Sequence, residues 1–303
     1  MTGDFSPVPT APAVSAVPDV PDVPAVPLRA LGAAVEIPQL GFGVWQVPDD
    51  QVEAAVAVAL DAGYRHIDTA RIYGNEEGVG RALRTAYQAG MPSGSVFVTT
   101  KVWNDDHRQV RAAFDASMQR LGLDVLDLYL IHWPAPLGDA YVQAWREVLA
   151  LRAEGRVRAV GVCNFHVAHL ERLADETGEL PAINQIELHP YLQQRELVAF
   201  HAAHDIVTEA WSPLASGKQV LDDPVVTAIA AKHGVSPAQA VIRWHLQQGF
   251  VVIPKSVTPS RIRDNIDVFG FELDGEDLEG LAGLDRGMRT GPNPDEFTLH
   301  AVR

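Results

Sequence analysis

Among the side chains of types that move protons, four stand at or just beyond the ends of short apolar runs: Asp68, Tyr73, Lys101 and His132. A tyrosine with an ordinary pKa of about 10 is a poor acid at neutral pH, so its surroundings must help before a phenol can protonate a carbonyl oxygen. A Lys101 ammonium nearby would stabilise the phenolate, Asp68 would hold that lysine, and a His132 imidazole could hydrogen-bond the substrate oxygen. Taken singly, each has a blander reading. An Asp or Lys at a strand end is commonly a solvated ion pair, and a lone His is commonly a satisfied polar neighbour.

What would bring the four together is the element pattern around them. From about residue 38 the chain alternates short apolar, β-rich runs with longer segments of helical spacing, the mark of βαβ units around a parallel sheet. Eight strand candidates follow one another: 40–44, 66–68, 96–101, 126–132, 157–163, 183–187, 206–211 and 251–254. Asp49–Ala62 and Tyr141–Glu154 are among the helical segments, Ser236-Pro237 reads as a helix start, and Gly63 and Gly122 follow helical runs. Eight such repeats imply a closed (β/α)8 TIM barrel, in which functional groups gather at the C-terminal ends of the strands. Asp68, Lys101 and His132 end the second, third and fourth strands, and Tyr73 lies just beyond the second. A doubly wound sheet is the competing architecture. Its dinucleotide form needs a three-glycine turn after the first strand, and Gly41-Phe42-Gly43-Val44-Trp45 lacks the third glycine.

Composition narrows the function classes. Of 303 residues, 47% are apolar and 21% charged, enough for one continuous core in a globular barrel. The formal charge of −15 repels phosphate backbones and anionic lipid, which argues against nucleic-acid partners. No run reaches the ~18 apolar residues of a membrane span. The single cysteine, Cys163, can form neither an internal disulfide nor a multi-cysteine zinc site, so a cytoplasmic protein is expected. Eleven histidines raise the thought of a metal-dependent barrel hydrolase, but no HExxH and no H-x-H after the first strand is present, and no metal is expected. Residues 1–27 are rich in Pro, Val and Ala, with Pro18, Pro21, Pro24 and Pro27 at intervals of three, so a disordered tail that is not an export signal is expected there, followed by a single domain over 28–303.

An ordered set of motifs then resembles one family. GFGVWQV at 41–47, DAGYRHIDTARIYGNEEGVG at 61–80, VTTKVWNDDH at 98–107, LDLYLIHWP at 126–134, GVCNF at 161–165, NQIELHP at 184–190, AWSPLA at 210–215 and IPKSVTPSRIRDN at 253–265 are similar to the aldo-keto reductase superfamily, within it to the bacterial 2,5-diketo-D-gluconate reductase-like members. The resemblance runs from about Pro38 to Phe297. It implies that Asp68, Tyr73, Lys101 and His132 form the catalytic tetrad, with Tyr73 as general acid, and that NADPH reduces a small-molecule aldehyde or ketone in a monomeric enzyme.

It also implies the cofactor contacts. Asn164 and Gln185 would hold the nicotinamide amide, with Cys163 standing where the family has a serine and donating more weakly. Trp211 would be the shelf for the nicotinamide ring, and Ser212, Leu214 and their neighbours to Ser216 would lie along the pyrophosphate. Lys255, Ser256, Val257, Thr258 and Arg261 would bind the 2′-phosphate, with Asp264 and Asn265 at the adenine end, so that NADPH is preferred to NADH. Trp45, Trp103 and Trp133 would wall the substrate pocket with His132. The short connection Pro134 to Gly138 suggests an open mouth and broad specificity. Residues 28–37 resemble the family's β-hairpin, plugging the barrel bottom, with Gly32 in its turn. Some relatives of this fold bind NADPH without catalysis; the intact tetrad weighs against that alternative.

Overall fold

The computed structural model describes residues 21–29, 35–217 and 219–297. A short antiparallel hairpin comes first, β1 (Ala25–Pro27) against β2 (Glu36–Pro38), with Val26 opposite Ile37. Eight parallel strands follow: β3 (Phe42–Gly43), β4 (His66–Asp68), β5 (Phe97–Val102), β6 (Leu126–Ile131), β7 (Val157–Cys163), β8 (Ile183–Glu187), β9 (Val207–Trp211) and β10 (Val251–Val252). Each pairs with the next in chain order. The ring closes where Leu40 bridges Val252, with Gly41 N donating to Val252 O at 2.9 Å and Val252 N to Gln39 O at 2.9 Å. The result is the expected (β/α)8 barrel, and every predicted strand overlaps an observed one.

The strands form because their residues are apolar and β-branched and are buried on both faces, from β5 through β8 almost without interruption. The outer layer forms because helical spacing puts apolar residues on one stripe. The helix Asp49–Asp61 buries Val52, Ala55, Val56, Ala59 and Leu60, and Val110–Leu121 buries Val110, Ala113, Phe114, Ser117, Met118 and Leu121. The expected stops and starts are present: Gly122 ends the latter helix at φ 70°, and Ser236 caps Pro237–Gln247 reciprocally with Gln239. The two helices Pro224–His233 and Gly275–Ala282 are additions to the eightfold pattern.

The hairpin covers the floor of the barrel. Leu28 and Ile37 are fully buried, and Gln39 donates from its amide to Leu246 O and Phe250 O, just ahead of β10. Its first strand corrects the expected boundary at residue 27. Ala25–Pro27 pairs with β2, Gln39 N donates to Pro24 O at 2.7 Å, and Val23 and Val26 pack on the core. The proline spacing that favours an extended tail is also tolerated in a sheet edge, where a missing N–H costs nothing. Residues 1–20 of the expected tail and Gly32 of the expected turn lie outside the described residues.

Candidate active site

Because all eight strands run parallel, Asp68, Lys101, Cys163, Gln185 and Trp211 come to one rim, and His132 follows β6 to join them. Lys101 is fully buried, and its ammonium has three partners in three directions. It donates to Asp68 Oδ1 at 2.7 Å and to Thr69 O at 2.9 Å, and lies 3.4 Å from Tyr73 Oη. Tyr73 ends a single 3-10 turn, Arg71–Tyr73, stopped by Gly74 at φ 68°, a left-handed conformation that suits glycine. The turn is tied down from beneath. Buried Asn75 accepts from Thr69 Oγ1 and donates to Val44 O and Val47 O, all at 2.9 Å, so the tyrosine loop is pinned to the loop after β3.

The electrostatics follow from burial. Lys101's burial disfavours its charge, yet the attraction of Asp68 and then of Tyr73 more than offsets this, and its pKa rises above the ordinary lysine value. Tyr73's burial lifts its phenol above the ordinary value, Lys101 works against the rise, and Asp68 adds to it. The expectation that Lys101 makes Tyr73 a stronger acid is therefore only half met in the protein alone: the lysine offsets part of a burial cost that is larger. Tyr73 stands ready as a phenol at neutral pH. His132 stands edge-on to Tyr73, ring centres 5.7 Å apart, and to Trp103 at 5.1 Å. Burial first, then Lys101 and His107, hold its imidazole neutral far below the usual histidine range.

Two of the three tryptophans expected at the pocket meet in one cluster. Trp103 and Trp133 are buried in one aromatic cluster against which Trp211 packs, whereas Trp45 is 48% exposed and outside it. The cluster's third buried member is Phe297, its ring 4.4 Å from Trp133 and 6.1 Å from Trp103. Phe297 arrives on a carboxy-terminal segment that is fastened to the barrel. Buried Glu187 accepts from Thr290 and from Gly291 N, and Asp295 sits 2.8 Å from His166 Nδ1. Gly291 is required there, since a Cβ would lie 2.5 Å from the Trp211 ring. Sequence reasoning missed Phe297, Asn75 and Glu187; the one available signal was an apolar aromatic close to the carboxy terminus.

The expected cofactor residues lie in β8, at the end of β9 or in the segments that follow β7, β9 and β10. Asn164 (φ 64°) follows β7; it accepts from Trp211 Nε1 at 2.8 Å and donates to His132 O at 3.1 Å, which fixes the indole plane. Gln185 donates from one amide nitrogen to Asp68 Oδ2 at 2.8 Å and to Glu209 Oε2 at 2.9 Å, leaving its carbonyl oxygen 3.6 Å from Cys163 Sγ. Cys163 is buried, as a small filler would be. After β9, Ser212, Ala215 and Ser216 hold positive φ angles of 47°, 49° and 56°, and Leu214 packs against the core. After β10, Lys255, Val257, Thr258 and Arg261 are exposed, Asp264 is exposed and Asn265 buried, with Thr258 N donating to Ser256 Oγ at 3.1 Å at the start of the helix Pro259–Ile266. Among the described residues no cluster of three His, Cys, Asp or Glu could hold a metal ion, and no helix is long and apolar enough to cross a membrane.

A parallel barrel with a lysine-supported phenol and a neutral imidazole at its C-terminal mouth belongs to the class of barrel oxidoreductases that protonate a carbonyl oxygen. The comparisons with known proteins define the family within that class. Residues 39–286 match the aldo/keto reductase family, and the chain belongs to it. It is 55% identical over 262 residues to the methylglyoxal reductase DkgA of Yersinia pestis, covering 86% of this chain and 94% of that protein. An aldo-keto reductase of Mycolicibacterium smegmatis is 54% identical over 265 residues, covering 87% of this chain and 95% of its own. Among solved structures, a Gox0644 mutant in complex with NADPH superposes with a TM-score of 0.86 at 44% identity, covering 92% of this chain and all of the other.

Proposed function

We propose that this protein is an NADPH-dependent reductase of small aldehydes and ketones, methylglyoxal among them, with Tyr73 as the proton donor. The observation that carries the reading is the contact chain Asp68 to Lys101 to Tyr73 at the barrel mouth, 2.7 and 3.4 Å in its two links. The names of its relatives supply the substrate class and the cofactor.

The residues present fit a dinucleotide phosphate. Ser212, Ala215 and Ser216 after β9 hold left-handed backbone, a loop geometry that suits a pyrophosphate. Among the described residues neither Lys255 nor Arg261 makes an ion pair, which leaves both cations for a phosphate in a protein of charge −15. Trp211, held in plane by Asn164, offers a flat face for the nicotinamide. When bound, NADPH supplies the hydride.

The chain supplies the rest. Neutral His132 hydrogen-bonds the carbonyl oxygen and turns it toward Tyr73 Oη, and the aromatic cluster of Trp103, Trp133 and Phe297 excludes water. Tyr73 gives its proton to that oxygen. The developing phenolate faces the Lys101 ammonium, whose charge Asp68 keeps fixed, so stabilisation grows as the proton leaves. We take the described residues from the hairpin onward to form one domain and the protein to be a cytoplasmic monomer. The test is loss of NADPH absorbance with methylglyoxal and a panel of simple carbonyls. Turnover with NADPH well above that with NADH is expected; none with any carbonyl would overturn the reading.

A further inference from the structure

Beneath the tetrad, inside the barrel, lies a second carboxyl that the mechanism above does not use. Glu209 of β9 is fully buried. Its Oε2 accepts from the Gln185 amide nitrogen at 2.9 Å, and the other hydrogen of that nitrogen goes to Asp68 Oδ2 at 2.8 Å. A single amide group thus bridges Glu209 to the aspartate that holds Lys101. The other oxygen, Oε1, has no hydrogen-bond partner among the described residues; it lies 3.7 Å from His66 Nε2, itself 3.2 Å from Thr99 Oγ1.

The charges around Glu209 do not balance if it is ionised. Facing it are His66 and Asp68 from β4, Lys101 from β5, Cys163 from β7 and Gln185 from β8, while β3 and β10 contribute only Phe42, Gly43, Val251 and Val252. Burial, together with Lys101, pushes the His66 imidazole down to about 3, so it is neutral. Burial likewise raises the Cys163 thiol well above its ordinary value. One cation therefore serves two carboxyls, and Asp68 already has it at 2.7 Å. A second carboxylate would sit uncompensated in the barrel core, which is expensive; a proton on the unpartnered oxygen removes the charge.

We propose that Glu209 carries a proton in the active enzyme and acts, through Gln185 and Asp68, as a positioning residue that keeps Lys101 at the service of Tyr73. The inference rests on the reductase reading. Glu209 gives its proton to nothing in the reaction; it sets the field in which Tyr73 gives up its own. Burial and then the charge of Asp68 move the Glu209 carboxyl up to about 8, against Gln185 and Lys101. Above that pH it ionises, the added negative charge competes for Lys101, and the Tyr73 phenol becomes a weaker acid. Carbonyl reduction then falls. The same group gives a stability signature: its folded pKa is raised, so its contribution is present below the ordinary carboxyl value and is lost as pH rises toward about 8.

The test is the pH profile of kcat/KM for NADPH-driven methylglyoxal reduction by the full chain and by Glu209→Gln, which keeps the shape and fixes the group as neutral. The wild type should lose about tenfold across this ionisation, and the variant should show no such limb and no matching decline in unfolding stability. An unchanged limb in a folded Glu209→Gln protein overturns the proposal. Carboxyl NMR of the wild type with isotope-labelled glutamate decides the matter without any variant. One glutamate should remain protonated at neutral pH; ordinary titration of all of them overturns the proposal. If the wild type reduces no carbonyl, the enzyme reading fails, whereas the NMR result still judges Glu209.

Discussion

The expected preference for NADPH over NADH can be worked from two exposed side chains. Lys255 follows β10 and Arg261 lies in the first turn of the helix Pro259–Ile266; among the described residues neither has a carboxylate partner, so replacing either with Ala breaks no protein contact of that kind. A charge-assisted hydrogen bond to a phosphate is worth about 1.5–3 kcal/mol, and exposure places these in the lower half of that range. At about 1.4 kcal/mol per factor of ten, Lys255→Ala or Arg261→Ala should each weaken NADPH by about 10- to 40-fold. NADH lacks the 2′-phosphate and should bind nearly as before. The assay is a titration of tryptophan fluorescence with each cofactor at low and raised salt, since Trp211 lies at the expected nicotinamide position. Salt should weaken NADPH more in the wild type than in the variants. Equal losses for the two cofactors, or a loss for NADPH below about threefold, would refute the assignment of this loop to the 2′-phosphate.

Two further outcomes concern the fold that carries the site. Asp68→Asn leaves the buried Lys101 ammonium without its charge partner and should cost about 3–5 kcal/mol in urea unfolding. Without Asp68 the burial of Lys101 is no longer offset and its folded pKa drops below the ordinary value, so the unfolded chain binds the extra proton and the deficit should shrink as pH rises toward about 10; a deficit independent of pH would contradict this. Deleting residues 1–27 removes β1 together with the packing of Val23 and Val26, and should lower stability by about 2 kcal/mol relative to deleting 1–20; equal melting temperatures would mean that the hairpin adds nothing to the floor.

The architecture was legible because the chain states it eight times, each time as a short, mostly apolar run with a segment of helical spacing behind it. The tetrad was legible for a related reason: Asp68 and Lys101 interrupt or end apolar strands, and a charge there needs a partner. Other features are tertiary and leave little local trace. Ala25–Pro27 lies in a proline-spaced run that reads as extended chain until the edge of β2 is present to pair with it. Phe297 becomes a pocket wall only because Glu187, far away in sequence, accepts from Thr290 and Gly291 and turns the terminal segment across the mouth. The reach of Gln185 to both Asp68 and Glu209 depends on three neighbouring strands meeting inside the barrel. A hint was available even so, since Glu209 is an acid within the otherwise uncharged strand V-T-E-A-W.

The central claim is that Tyr73 Oη, supported by Lys101, delivers the proton to a carbonyl oxygen. The direct measurement is single-turnover reduction of methylglyoxal by NADPH-loaded Tyr73→Phe beside the wild type, with cofactor affinity measured on the same samples. The phenyl ring keeps its edge contact with His132 and only the acid is lost, so NADPH affinity should stay within about twofold while the rate falls by about 10²- to 10⁴-fold. A single-turnover rate within about tenfold of the wild type would contradict the account.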